Sequence, residues 1–247
     1  MLAFAAFVPV HPILLPSIGA EHKVALSFTL DALETLKQHL KNTPIDTMVV
    51  IAYPKKYTSL YGMQFAQEMK GTLKDFGDFA TTLKLPCDYV LGHALKQAVH
   101  HAFPVHISGG STIIHTVTVP LLLLGVKAPC TVMVVEVCSQ SLAEHARFGE
   151  LMARVLQKDS RRIGVLATGD LSHTGNETFD RKVVQLLSEQ PNTLLAISET
   201  DLREAQETGL RSLAVLMCIT QNLHIPPSVL SYERPLGVGH LVMHYPL

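Results

Sequence analysis

Three continuous apolar runs constrain this chain more than any other feature: Thr47–Tyr53 (TMVVIAY), Thr131–Val137 (TVMVVEV) and Arg162–Thr168 (RIGVLAT). None alternates polar with apolar residues, so each predicts a strand covered on both faces rather than one with a wet side. Segments of helical character separate them. Ala25–Leu40 carries leucines at 26, 30, 33, 36 and 40. Asp88 can cap a helix reaching His101, and Ser141 with Glu144 forms a capping box ahead of a helix to about Gln157. Thr178–Glu189 predicts a further helix, and Asp201–Gln221 a long one. Leu2–Val10, Val105–Ser108 and Gly237–Tyr245 read as additional strands. The expected fold is α/β: one domain over 1–247, with a central, mostly parallel or mixed sheet covered by helices on both faces.

Composition narrows the functional classes. With 247 residues, 47% hydrophobic and 17% charged, the chain is unlike a disordered one and can bury a sizeable core. A formal charge of −1 and 6% aromatic residues give no footprint for nucleic acid. Val119–Val126 and Thr131–Val137 fall short of the ~20 residues of a membrane-spanning helix, so no membrane partner is expected. The N-terminal stretch MLAFAAFVPVHPILLP has no basic n-region and is interrupted by prolines, which favours a buried strand over a leader. Cys87, Cys130, Cys138 and Cys218 form no CxxC pair, and they predict reduced thiols in a cytoplasmic protein. Light surface charge is compatible with a homo-oligomer.

The 13 histidines are the chemical lead. In sheets of this kind, sites form where strands end and loops begin. Thr168-Gly169-Asp170-Leu171-Ser172-His173 follows a predicted strand directly. An aspartate and a histidine three apart there can act on a ligand, and a neutral imidazole suits a general base; a capping turn with a solvated histidine explains the same residues. His115, ahead of an apolar run, and His11, between prolines after the first strand, have both ligand and packing readings. Glu207 is flanked four residues away by Arg203 and Arg211, a spacing that also fits surface ion pairing. His240 and His244 share a strand face and read as a solvated edge. The turn Gly109-Gly110-Ser111-Thr112 is a weak phosphate signal without a P-loop lysine.

Taken together, these segments resemble the catalytic subunit of class III extradiol ring-cleavage dioxygenases, in the branch that includes the Memo-like proteins. FVPVHPILLPSIG is similar to that family's opening FVPHPPxLxPEIG, and DTMVVIAYP (Asp46–Pro54) to DTxVVISPH. Gly77-Asp78-Phe79 matches GDF, and His115–Leu121 resembles DHGxxVPL. Gly169–His173 matches GDLSH, Glu204–Leu213 (EAQETGLRSL) resembles EAGECGLRSL, and Tyr232–Gly239 resembles YEGPFGVG. These matches are collinear from residue 4 to residue 242.

The resemblance implies a non-haem Fe(II) enzyme that opens a catechol-type ring with O2, its iron held by two histidines and a glutamate. Carried over by position, His173 is the base, His115 steadies the substrate or oxygen, and Asp170 belongs to the substrate site. His11 and Glu207 remain as metal ligands. The implied partner is a small aromatic diol. The ligand positions themselves depart from the pattern. The family's first histidine aligns with Val10, one residue before His11, and a one-residue shift in an extended segment reverses the side chain's face. Only a bulge or a rearranged proline turn returns it to the site. The second histidine aligns with Lys55, whose ammonium has no lone pair for a metal; its charge can instead take the metal's place beside the substrate and attract Glu207. The family's aspartate and glycine around His115 are replaced by Ile114 and Thr116. The alternatives to an iron dioxygenase are a metal-free, Memo-like binding or scaffold protein and a metal-independent enzyme reusing His173 and His115.

Overall fold

The computed structural model describes all 247 residues. Its strands, in chain order, are β1 (Leu2–Val8), β2 (Thr47–Ala52), β3 (Tyr61–Gln64), β4 (Glu68–Leu73), β5 (Asp78–Pro86), β6 (Val105–Ser108), β7 (Thr112–Ile113), β8 (Thr131–Glu136), β9 (Ile163–Thr168), β10 (Ser228–Glu233) and β11 (His240–Tyr245). The helices are α1 (Pro16–Gly19), α2 (Ser27–Asn42), α3 (Tyr89–Val99), α4 (His115–Leu123), α5 (Leu142–Leu156), α6 (Glu177–Glu189), α7 (Glu199–Ala205) and α8 (Leu210–Thr220).

Eight strands form one mixed sheet in the order β10-β11-β1-β9-β2-β8-β3-β6. Its middle, β1-β9-β2-β8, is wholly parallel. The three apolar runs that dominate the sequence supply three of those four strands. Every residue of β2 and β9 is buried, as expected of strands covered on both faces. On one face α8 lies against β1, β2 and β9 and against α5, which also meets α3. On the other, α2 packs on β10 and β11, and α4 on β2 and β9. Burying each Val, Leu or Ile of these strands is worth about 1.5–3 kcal/mol, and a continuous core of 64 residues results. A small second sheet, β5-β4-β7, stands beside the large one and packs on α4.

Several local expectations hold in detail. The Asp88 carboxylate accepts from the Leu91 amide at 3.0 Å and starts α3. Ser141 caps α5 through the Glu144 amide, but the Glu144 side chain turns outward to Arg147 at 2.9 Å, leaving half a capping box. Two expectations do not hold. The helix predicted over Asp201–Gln221 is two helices, because Gln206 adopts a left-handed conformation (φ 51°) and Glu207–Gly209 form a link between α7 and α8. The histidines of β11 are not at a solvated edge: β11 lies between β10 and β1, His240 is buried and His244 half-buried.

This topology positions the candidate site. Because β1, β9, β2 and β8 are parallel, their C-terminal ends share one edge. The segments Val10–His11, Gly169–His173 and Tyr53–Lys55 therefore emerge side by side. The strand β11 runs antiparallel to β1, with Phe7 opposite Met243. Its first residue, His240, consequently starts at the same edge, level with Val10.

Candidate functional site

The polypeptide leaving β1 does not stay extended. His11 caps a one-turn helix at Pro12–Leu14, and its Nδ1 accepts from the Ile13 amide at 3.4 Å. The proline turn cancels the one-residue shift and delivers His11 to the strand-end site. Its ring lies 5.9 Å, centroid to centroid, from His240. Burial lowers its proton affinity, and the charges of His173, His115 and His22, when protonated, lower it further.

The turn after β9 is fixed from three sides. Any side chain at Gly169 would meet the Gly209 backbone at 2.3 Å, so glycine here is set by close backbone approach. The Asp170 amide donates to Thr208 Oγ1 (3.0 Å), and the His173 amide to the Ala205 carbonyl (2.9 Å). Across the other flank, Leu171 and Gly239 join the turn to the segment entering β11 through Leu171 N–H to Gly239 O and Gly239 N–H to Ser172 O. Asp180, in α6, accepts from the Ser172 amide at 2.8 Å and from the Tyr232 hydroxyl at 3.1 Å. His173 and His240 are thus held by one braced unit.

Within it, Asp170 is fully buried. Its Oδ1 accepts from the Val10 amide at 3.0 Å, and its Oδ2 lies 3.7 Å from His173 Nε2. Burial pushes the Asp170 carboxyl up to about 7, only slightly offset by the Val10 hydrogen bond. Burial also lowers His173. His115 opens α4, its ring 5.1 Å from Phe76, and is likewise lowered by burial. The most displaced is His240, brought down to about 3 by burial, then by the charges of His11 and His173. Neither of its ring nitrogens has a hydrogen-bond partner. Such groups are rare in folded proteins, and each calls for an explanation.

Of the residues singled out from sequence, the fold brings together His11, His115, Asp170 and His173. It adds His240, whose apolar strand context gives no signal until the register places it beside His11. The other two separate from the group. Glu207 is not on a helix surface: its side chain is fully buried in the α7–α8 link, with Oε2 accepting from the Leu210 amide (2.6 Å) and Oε1 from Arg211 Nη1 (3.1 Å). Arg211 in turn reaches Glu199 at 2.5 Å and the Gln140 carbonyl at 2.9 Å. Lys55 is exposed and makes no ion pair, so the expected attraction between Lys55 and Glu207 is replaced by the Arg211 pair.

The two-histidine, one-carboxylate set of a non-haem iron centre does not fit these residues. One imidazole position is a lysine, and both Glu207 oxygens are engaged in structural bonds. No three His, Cys, Asp or Glu side chains are grouped so as to hold a metal ion. The arrangement offers instead His11, His173 and His240 grouped with the buried Asp170 carboxyl at the strand ends, and His115 within electrostatic reach of His11. Every imidazole is lowered in proton affinity by burial, a setting suited to taking up and handing on a proton.

Comparison with known proteins gives this geometry a context. A model of the catalytic LigB subunit of aromatic ring-opening dioxygenase matches residues 4–243. A curated protein of Clostridium acetobutylicum is 21% identical over 260 residues, covering 95% of this chain and 55% of its own length. The chain thus spans about half of that relative. The crystal structure of an uncharacterized protein from Escherichia coli shares the fold, with a TM-score of 0.65 at 16% identity over 86% of this chain and 91% of that one.

Proposed function

Because the chain belongs to the family of the catalytic LigB subunit of aromatic ring-opening dioxygenases, we propose that the histidine cluster at its strand ends binds a small aromatic diol and removes a proton from it. The observation that carries this reading is the placement of His173 Nε2 3.7 Å from the buried Asp170 Oδ2, with burial lowering the imidazole's proton affinity and raising the carboxyl's. A diol hydroxyl donates to the His173 imidazole. The proton passes from the diol oxygen to the imidazole, and the imidazolium stands 3.7 Å from Asp170 Oδ2, whose ionised form stabilises it. The Val10 amide keeps Asp170 oriented. His115, beside Phe76, takes the second hydroxyl, and His11 and His240 supply further acceptors. No step runs through a metal.

Titration with a panel of catechols under anaerobic conditions, together with metal analysis of the purified protein, tests the proposal. Expected are a catechol that binds as its anion, seen in its ultraviolet absorption, loss of that ionisation in His173→Ala, and retained binding after chelation. Iron near one per chain with oxygen uptake on catechol addition overturns the metal-free reading. Absence of binding by every catechol overturns the substrate class.

A further inference from the structure

A cleft of about 760 Å3 opens on the small sheet, next to Ala128 in the turn that leads into the N-terminal end of β8. The histidines stand at the opposite, C-terminal ends of the parallel strands, so the two are separate. We propose that this cleft binds a phosphorylated small molecule carrying a flat ring, of the size of a mononucleotide.

The floor of the cleft carries an unusual charge pattern. Lys70 of β4 and Lys84 of β5 are directly opposite in the antiparallel register and both line the cleft. Like charges at such positions repel, and sheets normally place an acid across from a lysine. Here the acid of the same face, Glu68, is opposite Pro86 instead. Glu68 reaches only Lys70, at 3.4 Å, and Lys84 has no carboxylate within 4.0 Å. Two ammonium groups thus share one carboxylate, leaving one positive charge on a concave surface that a bound anion would neutralise.

The rim supplies matching donors. The turn after β6 brings Gly109 and Ser111 to the cleft, and neither backbone N–H has an acceptor within the protein. Gly110 between them donates to Ser108 Oγ at 3.2 Å, so the two free amides are alternate ones, both available to an anion in the cleft. Beside this loop stands an aromatic pair, Phe65, whose amide donates to the Ser108 carbonyl at 2.8 Å, and Tyr89, with centroids 6.1 Å apart. Tyr89 is 44% exposed although large and aromatic, and so presents a ring face for stacking. The volume lies within the range of small-ligand sites. A phosphate therefore seats between Lys70, Lys84 and the 109–111 turn, while the attached ring lies on Tyr89.

Calorimetric titration of the full chain with adenosine monophosphate, inorganic phosphate and adenosine, each alone, tests the assignment. The monophosphate is expected to bind most tightly, and more weakly as salt rises and the screening length falls from about 10 Å at 0.1 M to about 3 Å at 1 M. Lys84→Ala is expected to weaken the monophosphate and phosphate alike by about tenfold or more, the loss of a charge-assisted contact. Tyr89→Ala should weaken the monophosphate and leave phosphate unchanged. Lys84 and Tyr89 are exposed, and unchanged thermal unfolding of both variants confirms that the fold is intact. No binding of either phosphate-bearing probe, or equal affinity in Lys84→Ala, overturns the site. Equal affinity for phosphate and the monophosphate overturns the ring half of the proposal.

Discussion

Glu207 and His240 are both fully buried polar side chains in one domain, and they have opposite fates. The carboxylate of Glu207 sits in the α7–α8 link with both oxygens bonded, one to the Leu210 amide and one to Arg211. The imidazole of His240 sits at the head of β11 with both nitrogens unpaired. A buried polar group that is satisfied holds the structure together, whereas one left unsatisfied costs stability and marks a place kept for something else. The α7–α8 link is accordingly a structural joint that happens to abut the site, and the β11 head is part of the site.

The largest effect expected of this contrast is on Glu207. Glu207→Ala takes one of its two carboxylates from Arg211, leaving Glu199, and removes the acceptor for the Leu210 amide at the start of α8, so unfolding by denaturant should show a loss of about 3 kcal/mol. Its effect on diol binding should be no more than follows from partial unfolding. Full stability with abolished binding would reverse the roles of the two regions.

Acid sharpens the comparison next. An imidazole whose proton affinity is lowered in the folded state binds its proton more readily when unfolded. Its contribution is fully present above the ordinary value of 6.5 and is lost as pH falls towards the folded value of about 3. From this group alone, stability should drop by about 2 kcal/mol between pH 6.5 and pH 5. The carboxyls of Asp170 and Glu207, raised to about 7, act in the opposite sense: each gains protons on folding, so acidification from pH 7 towards 4 stabilises the fold. The His240 contribution is therefore read as a difference, by comparing denaturation of wild type and His240→Phe across this range. The variant should be less acid-sensitive by that amount. An identical pH profile would show that His240 is already paired in the folded state.

At neutral pH the same substitution has a smaller effect. Replacing an unsatisfied buried imidazole by a ring of similar shape removes a desolvation cost without breaking a bond, so stability should be unchanged or rise by about 1 kcal/mol. Diol binding, in contrast, should weaken. A loss of several kcal/mol in His240→Phe would mean that the imidazole is structural after all.

The difference between the two regions also explains what the sequence could disclose. The parallel core was legible because β2, β8 and β9 are apolar throughout, a pattern that only two-sided burial explains. Asp170 and His173 were legible because a glycine turn directly follows one of those strands. Glu207 was misplaced because helical spacing continues through Arg203, Glu207 and Arg211, while the left-handed Gln206 that interrupts it carries no signature such as glycine. His240 was missed for a different reason: its burial depends on β11 pairing with β1 on one side and β10 on the other, a long-range register that its own neighbours do not encode. The same applies to His11, where a local extended reading gives the wrong face and the Pro12–Leu14 turn restores it.

Lys55 provides the mildest perturbation and the finest test. It is exposed and unpaired, so Lys55→His should leave stability within about 0.5 kcal/mol of wild type. The substitution restores an imidazole at the position where the family pattern has its second histidine. If that lysine were the only obstacle to a metal centre, the variant would take up iron during anaerobic reconstitution. The bonds of Glu207 argue otherwise: a carboxylate that ligates would have to abandon both the Leu210 amide and Arg211, and breaking those buried bonds costs more than an exposed substitution can return. The expected outcome of metal analysis on Lys55→His is therefore no gain in iron. Stoichiometric iron would show that the α7–α8 joint can open, and that the two regions contrasted here exchange roles when a metal is offered.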